Sequence, residues 1–155
     1  MGAEQLITSG TQNGEIKLKS LVDIAGQNFI VTGAAKGIGL AISSLFNSLG
    51  AKVSGWDLDD SGMKNNPVFA DSQIVDVTNP LQTKEGFAAS LAALGDIDGV
   101  IANAGVNGPT KPLWDYSLSE WQMVMSVDLT GVFLTVQAAL GLSLIHISEP
   151  TRRYF

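Results

Sequence analysis

The chain has 155 residues, which is one domain at roughly 150 residues per domain. Nine Lys and Arg against fifteen Asp and Glu leave a net charge of −6, which repels a polyphosphate backbone and argues against nucleic acid as a partner. With 45% apolar and 15% charged residues the chain is built to bury a core, and with no Cys it has neither a disulfide framework nor a thiolate metal site. Glycine is in excess, at 17 of 155 residues against roughly 7% in an average chain, which points to tight turns and close backbone approaches.

Residues 1–20 are polar and aperiodic and read as a flexible lead. Met1 to Leu6 lacks the basic flank and apolar core of a secretion signal, and Leu6 stands where N-myristoylation wants Ser or Thr, so the expected location is cytoplasmic. From Gln27 a short apolar run, Phe29-Ile30-Val31, stops at Thr32-Gly33 and reads as a buried strand. A helix follows from about Gly37 to Leu49, with Ile38, Ile42, Leu45 and Phe46 on one stripe and Gly50 as its stop. Ala51 to Trp56 is a second strand, Asp59 to Ala70 a turn-rich loop with at most a short helix, and Gln73 to Val77 a third strand. Asn79-Pro80 opens a helix, as cap and first residue, that runs to about Leu94. Gly99 to Asn103 is a fourth strand. Ser117 and Glu120 form a capping box that starts one long helix through about Leu140. Leu129 to Ser148 carries no formal charge over 20 residues, a membrane-span length, but Thr130, Thr135, Gln137, Ser143, His146 and Ser148 are too many polar groups for lipid on all sides. Strands alternating with helices in this order make a doubly wound parallel α/β sheet, Rossmann-type, ending after about four strands.

Gly33, Gly37 and Gly39 lie where the first strand becomes a helix. In a dinucleotide site the first glycine permits the tight turn, the second lets a phosphate approach the backbone and the third lets the helix lie close on the strand. Free N–H groups at the helix start then face the diphosphate with the positive end of the macrodipole behind them. The plain alternative is an ordinary strand-to-helix turn. Asp57 follows Gly39 by 18 residues at the tip of the second strand, near the roughly 20 at which such sites place an acid on the adenine-ribose hydroxyls. Its charge selects NAD over NADP. Lys36 argues the opposite way, because a cation in the turn helps to hold a 2′-phosphate; its other reading is a solvated Lys at a helix start.

Thr32-Gly33-Ala34-Ala35-Lys36-Gly37-Ile38-Gly39 resembles the cofactor turn of the short-chain dehydrogenase/reductase family. Asp57 with Leu58, Asp76-Val77, Asn103-Ala104-Gly105 and the segment Val127 to Phe133 are similar to further family motifs in the same order, over about Leu21 to Leu140. The resemblance implies a cofactor site of Thr32, Gly33, Lys36, Gly37, Ile38, Gly39, Asp57, Leu58, Asp76, Val77, Asn103, Ala104 and Gly105, with NAD as cofactor and no metal. It implies an oxidoreductase that moves a hydride between nicotinamide and a small alcohol or ketone, acting as a homo-oligomer. Asp128 occupies the position where the family has an Asn whose backbone carbonyl holds a relay water; it is either that catalytic position or an exposed helix residue. The family's Tyr-x-x-x-Lys, which supplies the proton, does not occur in this sequence.

After Gly141 the string Leu142 to Arg152 resembles a reading-frame translation of a sequencing adapter. On this reading residues 21–141 are an incomplete dinucleotide-binding domain and 142–155 a non-native tail. The competing reading is a natural fifth strand at Leu144 to Ser148. The expectation is a catalytically inactive cofactor half, prone to aggregate through an unpaired fourth strand and the uncovered face of the long helix (Trp121, Val124, Met125, Leu129, Val132, Phe133). The alternative function is a non-catalytic NAD-binding or regulatory module.

Overall fold

A computed structural model of the chain describes residues 23–146. Its elements in order are β1 (Asn28–Thr32), α1 (Gly37–Ser48), β2 (Lys52–Asp57), β3 (Asp71–Ile74), α2 (Pro80–Leu94) and β4 (Gly99–Ile101). A 3-10 turn (Leu113–Asp115), α3 (Leu118–Met125), a π-helical segment (Ser126–Gly131) and α4 (Val132–His146) follow. The four strands are all parallel in the order β3-β2-β1-β4. Parallel neighbours need crossovers, and the helices that make them cover both faces of the sheet.

Side chains alternate across a strand, so Ile30 and Val31 face opposite layers. Ile30 packs with Trp56, Val75, Phe87 and Ala138 beneath α2 and α4. Val31 packs with Val53, Ala34, Ala35 and Met63, joined by Ile42 and Phe46 of α1. At roughly 1.5–3 kcal/mol for each large apolar side chain fully buried, these two layers fix β1 and β2 as the centre of the molecule. Both the Asn79–Pro80 start of α2 and the Ser117 start of α3 are formed as expected: Asn79 Oδ1 accepts the Leu81 and Gln82 N–H groups, and Ser117 and Glu120 cap each other.

Four expectations are corrected. The third strand is Asp71–Ile74, earlier than Gln73 to Val77, because it pairs with Ser54 to Asp57 and β2 ends there. Val75 still donates its N–H to Asp57 O at 2.9 Å, and both Val75 and Val77 are buried in the core beyond the strand's end. The fourth strand stops at Ile101, since the Asn103 N–H turns away to Thr32 Oγ1. The long helix is interrupted by the π-helical segment Ser126–Gly131, and Gly131 there approaches β3's exit so closely that a Cβ would lie 2.8 Å from Val77 Cγ2. Backbone at 144–146 continues α4, so a strand does not begin there. The lead of residues 1–20 and the tail from residue 147 lie outside the described residues.

The stretch Leu118–Gly141 is long and apolar enough to cross a membrane by length and composition. Leu134, Thr135 and Ala138 within it are nonetheless buried in the protein, and Thr135 Oγ1 donates back to Gly131 O. Trp121, Leu129, Phe133 and Leu140 are exposed on its other side, whereas Val124, Met125 and Val132 of the expected uncovered face are half-buried.

At the start of α3, Lys111 Nζ lies 2.7 Å from both carboxylate oxygens of Glu120. That ammonium, with the Ser117 N–H and hydroxyl, holds the Glu120 carboxyl down at about 2, from 4.5. A depressed folded-state value stabilises the protein above the unfolded value and loses that contribution as pH falls through the folded one. Glu120→Gln is therefore expected to melt below the wild type at pH 7, with the deficit shrinking between pH 4.5 and 2 in paired thermal melts. A deficit that stays constant across that window would show that the side chain acts through shape and not through charge.

Candidate functional site

The C-terminal ends of the parallel strands open on one cleft of about 410 Å³. Doubly wound sheets bind ligands at this edge, where neighbouring connections leave in opposite directions. Gly33, Lys36 and Ile38 line it from the turn after β1; Asp57 and Leu58 from the end of β2; Asp76 and Val77 from the exit of β3; and Asn103, Ala104 and Gly105 from the exit of β4. The structure thus brings together residues separated by up to 72 positions in the chain. Val75 and Val106 also line the cleft and are not among the cofactor residues expected from the sequence, and Val127, the first residue of the long-helix motif, lines it with them. Apart from that motif Val127 carries no sign of a cleft position, because an apolar residue on a helix reads as core.

Four sequence-derived residues do not line the cleft: Thr32 and Gly39, which are buried behind it, and Gly37 and Asp128, which are exposed. Thr32 is buried, and its Oγ1 accepts the N–H groups of Asn103 and Ala104 at 3.0 and 2.9 Å, tying β1 to the exit of β4. Asn103 returns the tie by donating Nδ2 to the carbonyls of Thr32 and Gly33. Gly39 is buried where the helix meets the turn: a Cβ there would lie 2.1 Å from Gly33 O. Gly37 has φ +57 and open space around a would-be Cβ. Asp128 is exposed in the π-helical segment, and its Oδ1 accepts the Val106 N–H at 2.9 Å.

The start of α1 differs from those of α2 and α3. Its N-cap is Lys36, which makes no side-chain capping bond, and there is no acidic residue in the first turn. Lys36, Gly37 and Ile38 are all exposed, Ile38 by 74%, and Lys36 and Ile38 line the cleft. Helix-start N–H groups have no partner within the helix, and the macrodipole puts positive potential on them. Asp57 faces this end from β2. Its Oδ2 accepts the Ala35 N–H at 3.0 Å and its Oδ1 the Asp59 N–H at 3.4 Å, so the carboxylate is fixed while still half-exposed. Next to it, the N–H and hydroxyl of Ser61 hold the Asp59 carboxyl below its ordinary value. The loop between β2 and β3 braces the turn from behind: Met63 is buried against it, and a Cβ on Gly62 would lie 2.0 Å from Ala35 O.

Chemically this is a site with uncapped backbone donors and positive potential at one point, a carboxylate acceptor beside it, and apolar flanks at Ile38, Val77 and Val106. It suits a ligand that has an anionic centre, a hydroxylated ring and flat apolar parts. A nicotinamide dinucleotide fits that donor set, and the space left by Gly37 is where its diphosphate could approach the backbone.

Comparison with known proteins agrees with this geometry. The short chain dehydrogenase family model matches residues 27–146. A 2-dehydro-3-deoxy-L-rhamnonate dehydrogenase (NAD(+)) of Sphingomonas sp. is 32% identical over 112 residues, covering 70% of this chain and 45% of that protein. Glucose 1-dehydrogenase 2 of Bacillus subtilis is 34% identical over 127 residues, covering 77% of this chain and 49% of that protein. Among solved structures, a short-chain glucose/ribitol dehydrogenase from Brucella melitensis superposes with a TM-score of 0.71 at 27% identity, over 77% of this chain and 52% of that one. A 3-ketoacyl-(acyl-carrier-protein) reductase from Brucella melitensis, complexed with NADH, shares the fold with a TM-score of 0.72 at 22% identity, over 76% of this chain and 50% of that one. The chain spans about half the length of the relatives it matches. With its sheet and helices inside the matched region, the chain belongs to the short-chain dehydrogenase family of oxidoreductases.

Proposed function

We propose that this chain is the cofactor-binding half of an NAD-dependent oxidoreductase that interconverts a small alcohol and a ketone. The observation that carries the reading is the uncapped, exposed start of α1 opening on the same cleft as the Asp57 carboxylate. The backbone donors around Gly33 to Gly39 hold the diphosphate, and Asp57 accepts the two adenine-ribose hydroxyls. The same charge repels a 2′-phosphate, and Lys36 does not reverse that preference, because Asp57 is held at the cleft by the Ala35 N–H. Ile38 and Leu58 supply apolar flanks at that end, and Asp76 and Val77 the rim beyond.

When bound, the nicotinamide supplies the hydride acceptor or donor. Moving the accompanying proton needs an acid/base, and the family's Tyr-x-x-x-Lys is not in these 155 residues. A positioned acid/base contributes about 10²- to 10⁴-fold, so in this reading the chain alone binds cofactor without turning over alcohols.

The test is titration with NAD and NADP, followed calorimetrically, on the wild type and Asp57→Asn. Hydrogen bonds to a charged group are worth about 1.5–3 kcal/mol, so the substitution is expected to weaken NAD by about 10- to 100-fold. It should also narrow the preference for NAD over NADP, a ratio that a general loss of folding would leave unchanged. Absence of saturable NAD binding to the wild type, or equal NAD affinity in the variant, would sink the reading.

A further inference from the structure

Asn107–Gly108 is the one Asn–Gly pair among the described residues, and it sits on irregular backbone between the exit of β4 and the 3-10 turn. An Asn followed by Gly is chemically labile, because the backbone nitrogen of the next residue reaches the side-chain carbonyl carbon with no Cβ to shield it. What holds the two groups decides whether the fold permits that attack. Here nothing does: Asn107 is exposed, and neither its amide nor the Gly108 N–H has a hydrogen-bond partner among the described residues.

The other Asn residues are protected. Asn66 and Asn79 precede proline, which has no N–H to attack with. Asn28 and Asn47 lie within β1 and α1, and Asn65 precedes Asn66, whose N–H is bonded to Met63 O. Asn103, in the same connection as Asn107, donates Nδ2 to the Thr32 and Gly33 carbonyls, and the N–H of its successor Ala104 goes to Thr32 Oγ1. Glycine is required at 108 for a separate reason, since a Cβ there would lie 2.9 Å from Tyr116 Oη and 3.2 Å from Val124 Cγ2. Tyr116 Oη in turn donates to Pro109 O, which folds the loop back on the ring. The packing that demands glycine therefore creates the reactive pair.

We propose that Asn107 is a self-modification site, converted to aspartate and isoaspartate with water as the only co-reactant, and that the conversion loosens the cleft wall at Val106. The Gly108 nitrogen attacks Asn107 Cγ and forms the N–Cγ bond of a five-membered imide. The Cγ–Nδ2 bond breaks, and that nitrogen leaves as ammonia with the Gly108 amide proton. Water then opens the imide at either carbonyl. Opening at Cγ restores the ordinary main chain with a carboxylate on residue 107; opening at the main-chain carbonyl leaves residue 107 linked through its side chain, as isoaspartate. Both products add a negative charge, and isoaspartate also adds a methylene to the main chain. That methylene falls between Val106, which lines the cleft, and Gly108, which lines a second cavity of about 320 Å³ beside Tyr116 and Trp121. Val106 is held by its N–H to Asp128 Oδ1 and Gly108 by its packing on Tyr116, so a longer chain between them no longer keeps both contacts in register.

The experiment incubates the whole chain in warm, mildly alkaline buffer, which favours the deprotonated Gly108 nitrogen, and follows it by peptide mapping. Isoaspartate is read by methyl transfer from S-adenosylmethionine with an isoaspartyl methyltransferase. Conversion is expected at Asn107, faster as pH rises, with Asn103 unchanged. Methyl acceptance in the peptide bearing residue 107 should be lost in Asn107→Gln, whose longer side chain would need a six-membered ring. Asn13–Gly14, the other Asn–Gly pair of the sequence, lies outside the described residues and serves as the comparison in the same digest. Amide exchange at Val106 should accelerate in the aged wild type and not in aged Asn107→Gln. On the cofactor reading above, the NAD Kd should rise with age by about 3- to 10-fold in the wild type alone. An unconverted Asn107, equal conversion of Asn103 and Asn107, or Val106 exchange and NAD affinity unaltered after conversion would overturn the proposal. Failure of the fresh protein to bind NAD would instead overturn the cofactor reading and leave the modification site standing.

Discussion

Replacing Gly39 with Ala is expected to cost the protein its fold, whereas the same change at Gly37 should leave it folded and impair only cofactor binding. At residue 39 the added Cβ would lie 2.1 Å from the Gly33 carbonyl oxygen, 2.8 Å from its carbon and 2.7 Å from Asn103 Nδ2. The nearest obstacle is backbone, and it has nowhere to go: Gly33 is held at φ +65 with the exit of β4 pressed on it, and Asn103 donates to that same oxygen. Relief requires lifting α1 from β1 and separating Ile42 and Phe46 from the core layer they cover. Overpacking a tight site costs about 1–3 kcal/mol and more where backbone must move, against a total stability of roughly 5–15 kcal/mol. At residue 37 nothing lies within 4 Å of the would-be Cβ, and the penalty is the left-handed φ of +57, about 1–2 kcal/mol. Thermal melts and NAD titration separate the two variants. Gly39→Ala should melt roughly 10 °C or more below the wild type or fail to fold, and Gly37→Ala should melt within several degrees but bind NAD poorly. Wild-type melting in Gly39→Ala would mean that α1 does not depend on close contact with the turn.

That turn was legible in the sequence because its physics is local: an apolar run, glycines at fixed spacing and an acid at the next strand tip all follow from short-range geometry. The caps at Asn79 and Ser117 were legible for the same reason, each being a side chain bonded to N–H groups two or three residues on. What escaped depended on distant partners. The limits of β3 are set by where β2 ends, so the apolar residues up to Val77 suggested a longer strand when they mark burial past its end. Met63 is in the core although the loop around it, from Asp59 to Asn66, is polar. The π-helical segment leaves the apolar pattern of the long helix almost unchanged, so periodicity showed one continuous helix where the backbone changes its winding. Val106 enters the cleft because that segment meets the exit of β4, a contact between parts of the chain more than 20 residues apart.

The buried side chain with the most to lose is Trp56, fully enclosed one residue before Asp57. Its Nε1–H donates to Ser90 Oγ at 2.9 Å, Ser90 and Ser54 hydroxyls lie 2.7 Å apart, and Ser54 donates to Asp71 Oδ2 at 2.6 Å. Each hydroxyl has one proton. Since Ser54 spends its proton on the carboxylate, Ser90 must donate to Ser54, and the chain runs in one direction from indole to carboxylate, joining β2, α2 and β3. Ser90→Ala removes the middle link and leaves the indole N–H dry and unpaired, which costs about 1–3 kcal/mol. Trp56→Phe alone loses indole packing against Val75 and Phe87 and a donor to Ser90. The double variant Trp56→Phe/Ser90→Ala has no stranded indole N–H, so its destabilisation in urea unfolding should fall short of the sum of the singles by about 1 kcal/mol or more. Strict additivity would mean that the two groups do not depend on one another, and that β2 is held at the cleft by apolar packing alone.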